Sequence, residues 1–199
     1  MIDFKLNIIR NIVGSTISSH SLIMKVAFTG STLTGHKILK IAAESNLKKV
    51  TLELDGKSST IIFDDADLKQ AIKDAHQKLT CSPNIGQACT AGCYIYIQEG
   101  IYGFTKIAEG LAQATGGPFE KSVQHGLQVS NMQFEHIMGY INSGKADGAK
   151  IHIRGECHSN QRYFIKPTIF MDMKPNMKIM QKKIFGPVCS VVKFMTEEG

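Results

Sequence analysis

Strand-sized apolar runs alternating with segments of helical periodicity predict an α/β fold with a largely parallel sheet. Three observations carry this expectation. The run KVAFT (25–29) ends in Gly30-Ser31 and is followed by Leu33, Ile38, Ile41 and Ala42 at roughly helical spacing, with lysines between them. Residues 50–54 alternate Val and Leu with Thr and Glu, the pattern of a half-buried strand. Residues 188–194 form a further β-rich run after a short helical stretch.

Taken in order, residues 25–29 make a strand, Gly30-Ser31 a tight turn, and the segment after it a helix. Residues 50–54 and 60–63 are the next strands. Asp65-Ala66-Asp67 then opens a helix that runs to about Leu79, its acids in the first turn, where the helix dipole favours negative charge. Pro83-Asn84-Ile85-Gly86 breaks that helix and delivers the chain to Cys89 on a loop. Residues 94–97 are a strand, 104–114 a helix, and 132–141 an amphipathic helix closed near Gly144. Strands follow near 150–153 and 164–170, a short helix near 177–183, and the final strand at 188–194.

Bulk properties exclude several classes. The chain has 199 residues, 43% hydrophobic and 20% charged, a composition able to bury a core. The early run LNIIRNIV is interrupted by Arg10, so neither a membrane span nor a signal peptide is expected, and the expected location is cytoplasmic, with mitochondria the alternative. Five cysteines and no N-x-S/T acceptor argue against a secreted disulfide framework. The net charge of +6 permits an anionic partner. The doublets Lys48-Lys49 and Lys182-Lys183 nevertheless read as lysines on solvated faces, and no nucleic-acid-binding signature accompanies them. Cys89 and Cys93, or His152, Cys157 and His158, lack zinc-site spacing, so no metal is expected.

Three segments carry chemistry. GQACTAG (86–92) places Cys89 in a turn of small residues, where a thiolate can meet a substrate, although a cysteine by composition alone is more often buried and inert. VTLELDGKS (50–58) offers Glu53 as a candidate acid or base, against the commoner fate of a solvated strand carboxylate. VAFTGSTLTG (26–35) puts Thr29, Gly30 and Ser31 at a strand-to-helix turn, where a glycine and free amides suit a phosphate, although a purely structural turn is the default.

These segments, in this order, together with HGLQVSNMQFEHIMGYINSGKADGAKIHIRG (125–155), YFIKPTIF (163–170) and IFGPV (184–188), resemble the aldehyde dehydrogenase superfamily, with details similar to its fungal branch. The resemblance implies the last part of a Rossmann-like NAD(P)-binding domain over 1–54 and the first part of a catalytic domain over 55–199. It implies oxidation of an aldehyde to a carboxylic acid with NAD or NADP, Cys89 as nucleophile and Glu53 as general base. It also implies cofactor contacts at Thr29, Gly30, Ser31, Leu54 and Phe185, and a homo-oligomer.

Members of the family are much longer, so the chain reads as an interior piece, and the isolated 199 residues are expected to show no appreciable aldehyde oxidation. Departures from the family pattern are Lys183 where a ribose-binding glutamate is usual, Asp55 in place of the first of two glycines, and Tyr94 in place of arginine. The missing nucleotide half, Lys183 and Asp55 favour a rival expectation, an inactive piece that associates with full-length subunits, against which the intact Cys89 and Glu53 count. A weak, salt-sensitive anion- or nucleic-acid-binding module has only the net charge behind it.

Overall fold

The computed structural model describes residues 10–79, 85–102, 126–157 and 163–197. The helix expected over 104–114 lies outside them. The chain divides between Gly56 and Lys57 into two compact units.

In the first unit, helix α1 (Arg10–Ser19) precedes strand β1 (Lys25–Thr29), helix α2 (Thr32–Ser45) and strand β2 (Lys49–Glu53). The two strands pair in parallel, with Val26 beside Val50, Phe28 beside Leu52 and Thr29 beside Glu53. Parallel neighbours need a crossover, and α2 provides it. Its buried residues Gly35, Ile38 and Ala42 recur at three- and four-residue steps, which puts them on one face. On β2, Val50 and Leu52 are half-buried and Thr51 and Glu53 exposed, as the alternation predicts.

Lys48 departs from the expectation of a solvated lysine. It is 6% exposed, and its ammonium donates to the carbonyl of Ser18 at 2.6 Å and to Ser45 Oγ at 2.7 Å. These bonds tie the ends of α1 and α2 to the start of β2 and replace the water that burial removes.

The second unit holds strand β3 (Ser58–Ile62), helix α3 (Leu68–Leu79), strand β4 (Gly92–Gln98), the short helix α4 (Glu99–Tyr102), helix α5 (Asn131–Ala146), strands β5 (Lys150–Ile153) and β6 (Thr168–Met171), the single-turn helix α6 (Lys178–Gln181) and strand β7 (Val188–Phe194). The sheet order is β3-β4-β7-β6-β5, parallel except for β5, which runs antiparallel at the edge. One sheet face packs Ile95, Ile97, Ile169, Cys189 and Val191 with Ala75 of α3. The other packs Phe170 and Val188 with Ile137 and Ile141 of α5 and Ile179 of α6. Burying each such aliphatic side chain contributes roughly 1.5–3 kcal/mol.

Among the boundaries that differ from the sequence expectation, three have a clear physical reason. Helix α3 begins at Leu68, because Asp67 precedes it and its carboxylate accepts the amides of Lys69 at 2.9 Å and Gln70 at 3.2 Å; the acids stand before the first turn rather than in it. Helix α5 passes through Gly144 to Ala146, since Gly144 is buried against Ile179 and Phe170 and serves close packing rather than termination. The strand expected from 164 begins at Thr168; Ile165 before it makes only an isolated bridge with Cys157.

Candidate active site

In the first unit, parallel pairing of β1 and β2 gathers the candidate residues at the ends of both strands. Thr29 and Glu53 are register partners, and the Gly30 amide donates to the Glu53 carbonyl at 3.1 Å. The Glu53 side chain is left exposed. Ser31, in extended conformation, caps α2: its hydroxyl accepts from the Thr34 amide at 3.3 Å and donates to Thr34 Oγ1 at 3.0 Å.

Leu54 is half-buried and lies over Gly35 of α2, its Cδ2 2.9 Å from where a Cβ on that glycine would stand. Asp55 reaches back to the same turn. Its Oδ2 accepts the Thr32 amide at 2.8 Å, so the first turn of α2 already receives a carboxylate oxygen. Asp55 is not among the residues with positive φ, so the replacement of glycine there carries no left-handed strain.

In the second unit, Cys89 is exposed on a turn closed by the Ala91 amide donating to the Ala88 carbonyl at 3.1 Å. The chain leaves this turn into strand β4, not into a helix. Two contacts fix it. Ser58 Oγ donates to the Cys89 carbonyl at 2.8 Å, from a position on β3 where the register with β4 shifts. At the other end Ile85 and Gly86 are both left-handed, with φ of 57° and 72°. A Cβ on Gly86 would stand 2.1 Å from the Gly186 carbonyl oxygen, so only glycine permits this approach of two backbones.

Gly186 belongs to the loop of Phe185. Phe185 has a φ of 59° and is 36% exposed, and Gln133 Nε2 of α5 donates to its carbonyl at 2.8 Å. The thiol turn and this aromatic loop are thereby joined within one unit. Gln133, Ser58 and Gly186 are positioning residues that the sequence expectation did not single out. The pattern GQ-x-C and the IFGPV segment mark the loops, but the partner of each contact comes from a distant element.

The departures acquire roles. Tyr94, where the resemblance leads one to expect arginine, is buried and donates its hydroxyl to the Ile179 carbonyl at 2.6 Å; burial pushes its phenol up. The Lys57 ammonium donates to Tyr94 Oη and to the Met180 carbonyl and stands 4.2 Å from the Tyr94 ring centre, with burial lowering its pKa. Lys183 lies 5.3 Å from the centre of the Phe185 ring, a cation–π contact in place of a hydrogen-bond acceptor. Burial likewise pushes the Cys93 thiol up and the Cys189 thiol well up. Cys89 and Cys157 are the exposed thiols among the described residues, and no three His, Cys, Asp or Glu side chains among them gather as a metal would require. No helix among them is long and apolar enough to cross a membrane.

Comparison with known proteins accounts for the order of these segments. The family model described as Aldehyde dehydrogenase family matches residues 6–199. Aldehyde dehydrogenase of Agaricus bisporus is 52% identical over 91% of this chain and 36% of its own length, and that of Emericella nidulans 52% identical over 92% and 37%. Among solved structures, a variant of aldehyde dehydrogenase from Bacillus cereus superposes with a TM-score of 0.86 at 40% identity, covering 94% of this chain and 38% of that one. The indole-3-acetaldehyde dehydrogenase AldA of P. syringae, in complex with NAD+ and IAA, gives 0.88 at 34% identity with the same coverage. The chain thus spans a little over a third of the length of these relatives. With its mixed α/β architecture and dominantly parallel sheets, it belongs to the aldehyde dehydrogenase family.

Proposed function

We propose that the chain carries the nucleophile and the general base of an oxidation of aldehyde to carboxylic acid, divided between two parts. Residues 1–54 belong to a nucleotide-binding domain and 55–199 to a catalytic domain. The observation that carries this reading is the exposed Cys89 thiol on a turn held at one end by Ser58 and at the other by Gly86 against the Phe185 loop. The Cys89 thiolate attacks the aldehyde carbonyl carbon and forms a thiohemiacetal, and loss of hydride leaves a thioester. Glu53 takes a proton from the thiol or, after the hydride has left, from the water that hydrolyses the thioester, and hydrolysis releases the acid and frees the cysteine sulfur.

A nicotinamide dinucleotide, NAD+ or NADP+, supplies the hydride acceptor when bound. Its fit is supported by donor chemistry: the first turn of α2 already accommodates a carboxylate oxygen at the Thr32 amide, so its N–H groups suit an anion. Thr29, Gly30, Ser31 and Leu54 are the residues that would hold it in the first part. Phe185, an aromatic kept exposed in a left-handed conformation, would hold it in the second. The whole protein is a homo-oligomer in the cytoplasm or mitochondria that takes a small aldehyde, with no part for nucleic acid or membrane.

The test is protection of the thiol. Short-chain aldehyde added before limiting iodoacetamide slows alkylation of Cys89 but not of Cys157, which is also exposed, read by peptide mass spectrometry. Equal rates at both sites with and without aldehyde would refute the assignment. A second reading, an inactive subunit-association partner, is favoured by the Asp55 carboxylate on Thr32 and by Lys183 over Phe185. It predicts no protection, together with co-elution alongside a full-length family member in size-exclusion chromatography.

A further inference from the structure

We infer that Asp55 is a selectivity-determining residue at the start of α2, holding the place of an anionic ligand group and opposing phosphate-bearing ligands with its own charge. The inference rests on the proposed nucleotide site and concerns what that site admits.

The register of β1 and β2 makes the contact. Thr29 and Glu53 are partners, so the chain two residues beyond Glu53 stands beside the turn that leads from Thr29 into α2. Asp55 Oδ2 closes on the Thr32 amide at 2.8 Å across 23 residues of sequence, the length of a charge-assisted bond. The positive end of the helix favours a carboxylate there, as it would a phosphate.

The Thr34 amide at this end is also engaged, donating to Ser31 Oγ and to the Ser31 carbonyl. A phosphate that takes the Thr32 amide has to displace Asp55 from it, and it meets the repulsion of the carboxylate it has displaced. Asp55 is exposed and lies outside the regular elements, which leaves it free to swing away without unpacking a core.

A helix cap alone and a gatekeeper make different predictions. Both lose helix stability in Asp55→Gly, but only the gatekeeper gains ligand affinity. The 199-residue chain labelled with ¹⁵N is titrated with inorganic pyrophosphate, and separately with NAD+, while the Thr32 amide resonance is followed in the wild type, Asp55→Asn and Asp55→Gly. Asn keeps an oxygen for the Thr32 amide and removes the charge, so it separates repulsion from occupancy and serves where Asp55→Gly disturbs the fold.

The expected result is a pyrophosphate affinity at Thr32 about tenfold or more tighter in Asp55→Gly than in the wild type, with Asp55→Asn between them. Equal or weaker affinity in both variants, or pyrophosphate shifts confined to surface lysines, would overturn the inference. Gain of pyrophosphate binding with no response to NAD+ in any variant sustains the role of Asp55 and removes the dinucleotide reading. NAD+ binding of equal strength in all three chains does the reverse.

Discussion

The Ser58 hydroxyl donates to the Cys89 carbonyl across 2.8 Å, joining the first residue of β3 to the turn that carries the exposed thiol. The carbonyl of Ser58 faces the Cys93 thiol at 3.9 Å, so one serine contacts the chain within the turn and just after it. Ser58→Ala removes the hydroxyl bond and leaves the backbone pairing of β3 with β4 in place. The expected loss of stability is about 1 kcal/mol in urea unfolding. Amide exchange should rise at Ala91, inside the turn, with no change at Ile95 or Ile97. Unchanged exchange at Ala91 would mean that the turn is held by other contacts.

Gly86 and Gly139 are both glycines with opposite expected responses to alanine. Gly86→Ala puts a side chain into a left-handed residue and a Cβ 2.1 Å from the Gly186 carbonyl oxygen. Strain and overlap together should cost about 2–4 kcal/mol and separate the thiol turn from the Phe185 loop. Gly139 lies inside α5 with open space where a Cβ would go, so Gly139→Ala should stabilise by about 0.4–1 kcal/mol through helix propensity. Thermal or urea unfolding of the two variants reads both signs in one experiment.

Alkaline pH should destabilise the fold through its buried acids. Cys189 is packed with Ile95, Ile169 and Val191, and burial raises its thiol well above the ordinary value of 9.0; Cys93 moves the same way. Above that value the unfolded chain releases these protons and the folded chain keeps them, so the unfolded state binds fewer protons and stability falls as pH rises. Tyr94 acts in the same direction above its ordinary value of 10.0. Lys57, lowered by burial from 10.5, acts in the opposite direction within its own window. Raised acids at Cys93, Cys189, Tyr94 and Tyr140 against one lowered lysine should give lower stability at about pH 10 than at about pH 8, and Cys189→Ala should show a smaller decline. An identical decline in that variant would show that Cys189 does not contribute.

The strands at Lys25–Thr29 and Val188–Phe194 are legible in the sequence to the residue, because apolar β-formers there end at polar or turn-forming neighbours. Gly144 is not, since a glycine near the end of an amphipathic run reads as a stop until Ile179 and Phe170 are seen to pack on it. Lys48 reads as solvated because nothing local indicates that the Ser18 carbonyl will lie above it. The candidate site divides in the same way. Local motif chemistry marks Cys89, Glu53 and the Gly30-Ser31 turn. The contacts that position them, Ser58 on Cys89, Gly186 against Gly86 and Asp55 on Thr32, depend on strand register and on loops far apart in the chain. Asp55 in particular reads only as a misplaced glycine until the parallel pairing of β1 and β2 sets it beside the helix start.

Phe185 is the residue at which ligand binding and stability should separate. Its backbone is left-handed at φ 59°, a conformation that costs a bulky residue about 1–2 kcal/mol, and the residue remains 36% exposed. The ring's fixed partner is the Lys183 ammonium, worth about 0.5–1 kcal/mol at such a site. Gln133 holds the loop through the Ile184 and Phe185 carbonyls, which a substitution of the side chain leaves intact. Phe185→Gly relieves the backbone strain and gives up the cation–π contact and some chain entropy, so its stability should stay within about 1 kcal/mol of the wild type. NAD+ affinity in titration calorimetry should fall, since the face against which the cofactor would pack is gone. A stability loss above about 2 kcal/mol would instead make Phe185 a core aromatic, with its exposure incidental to function.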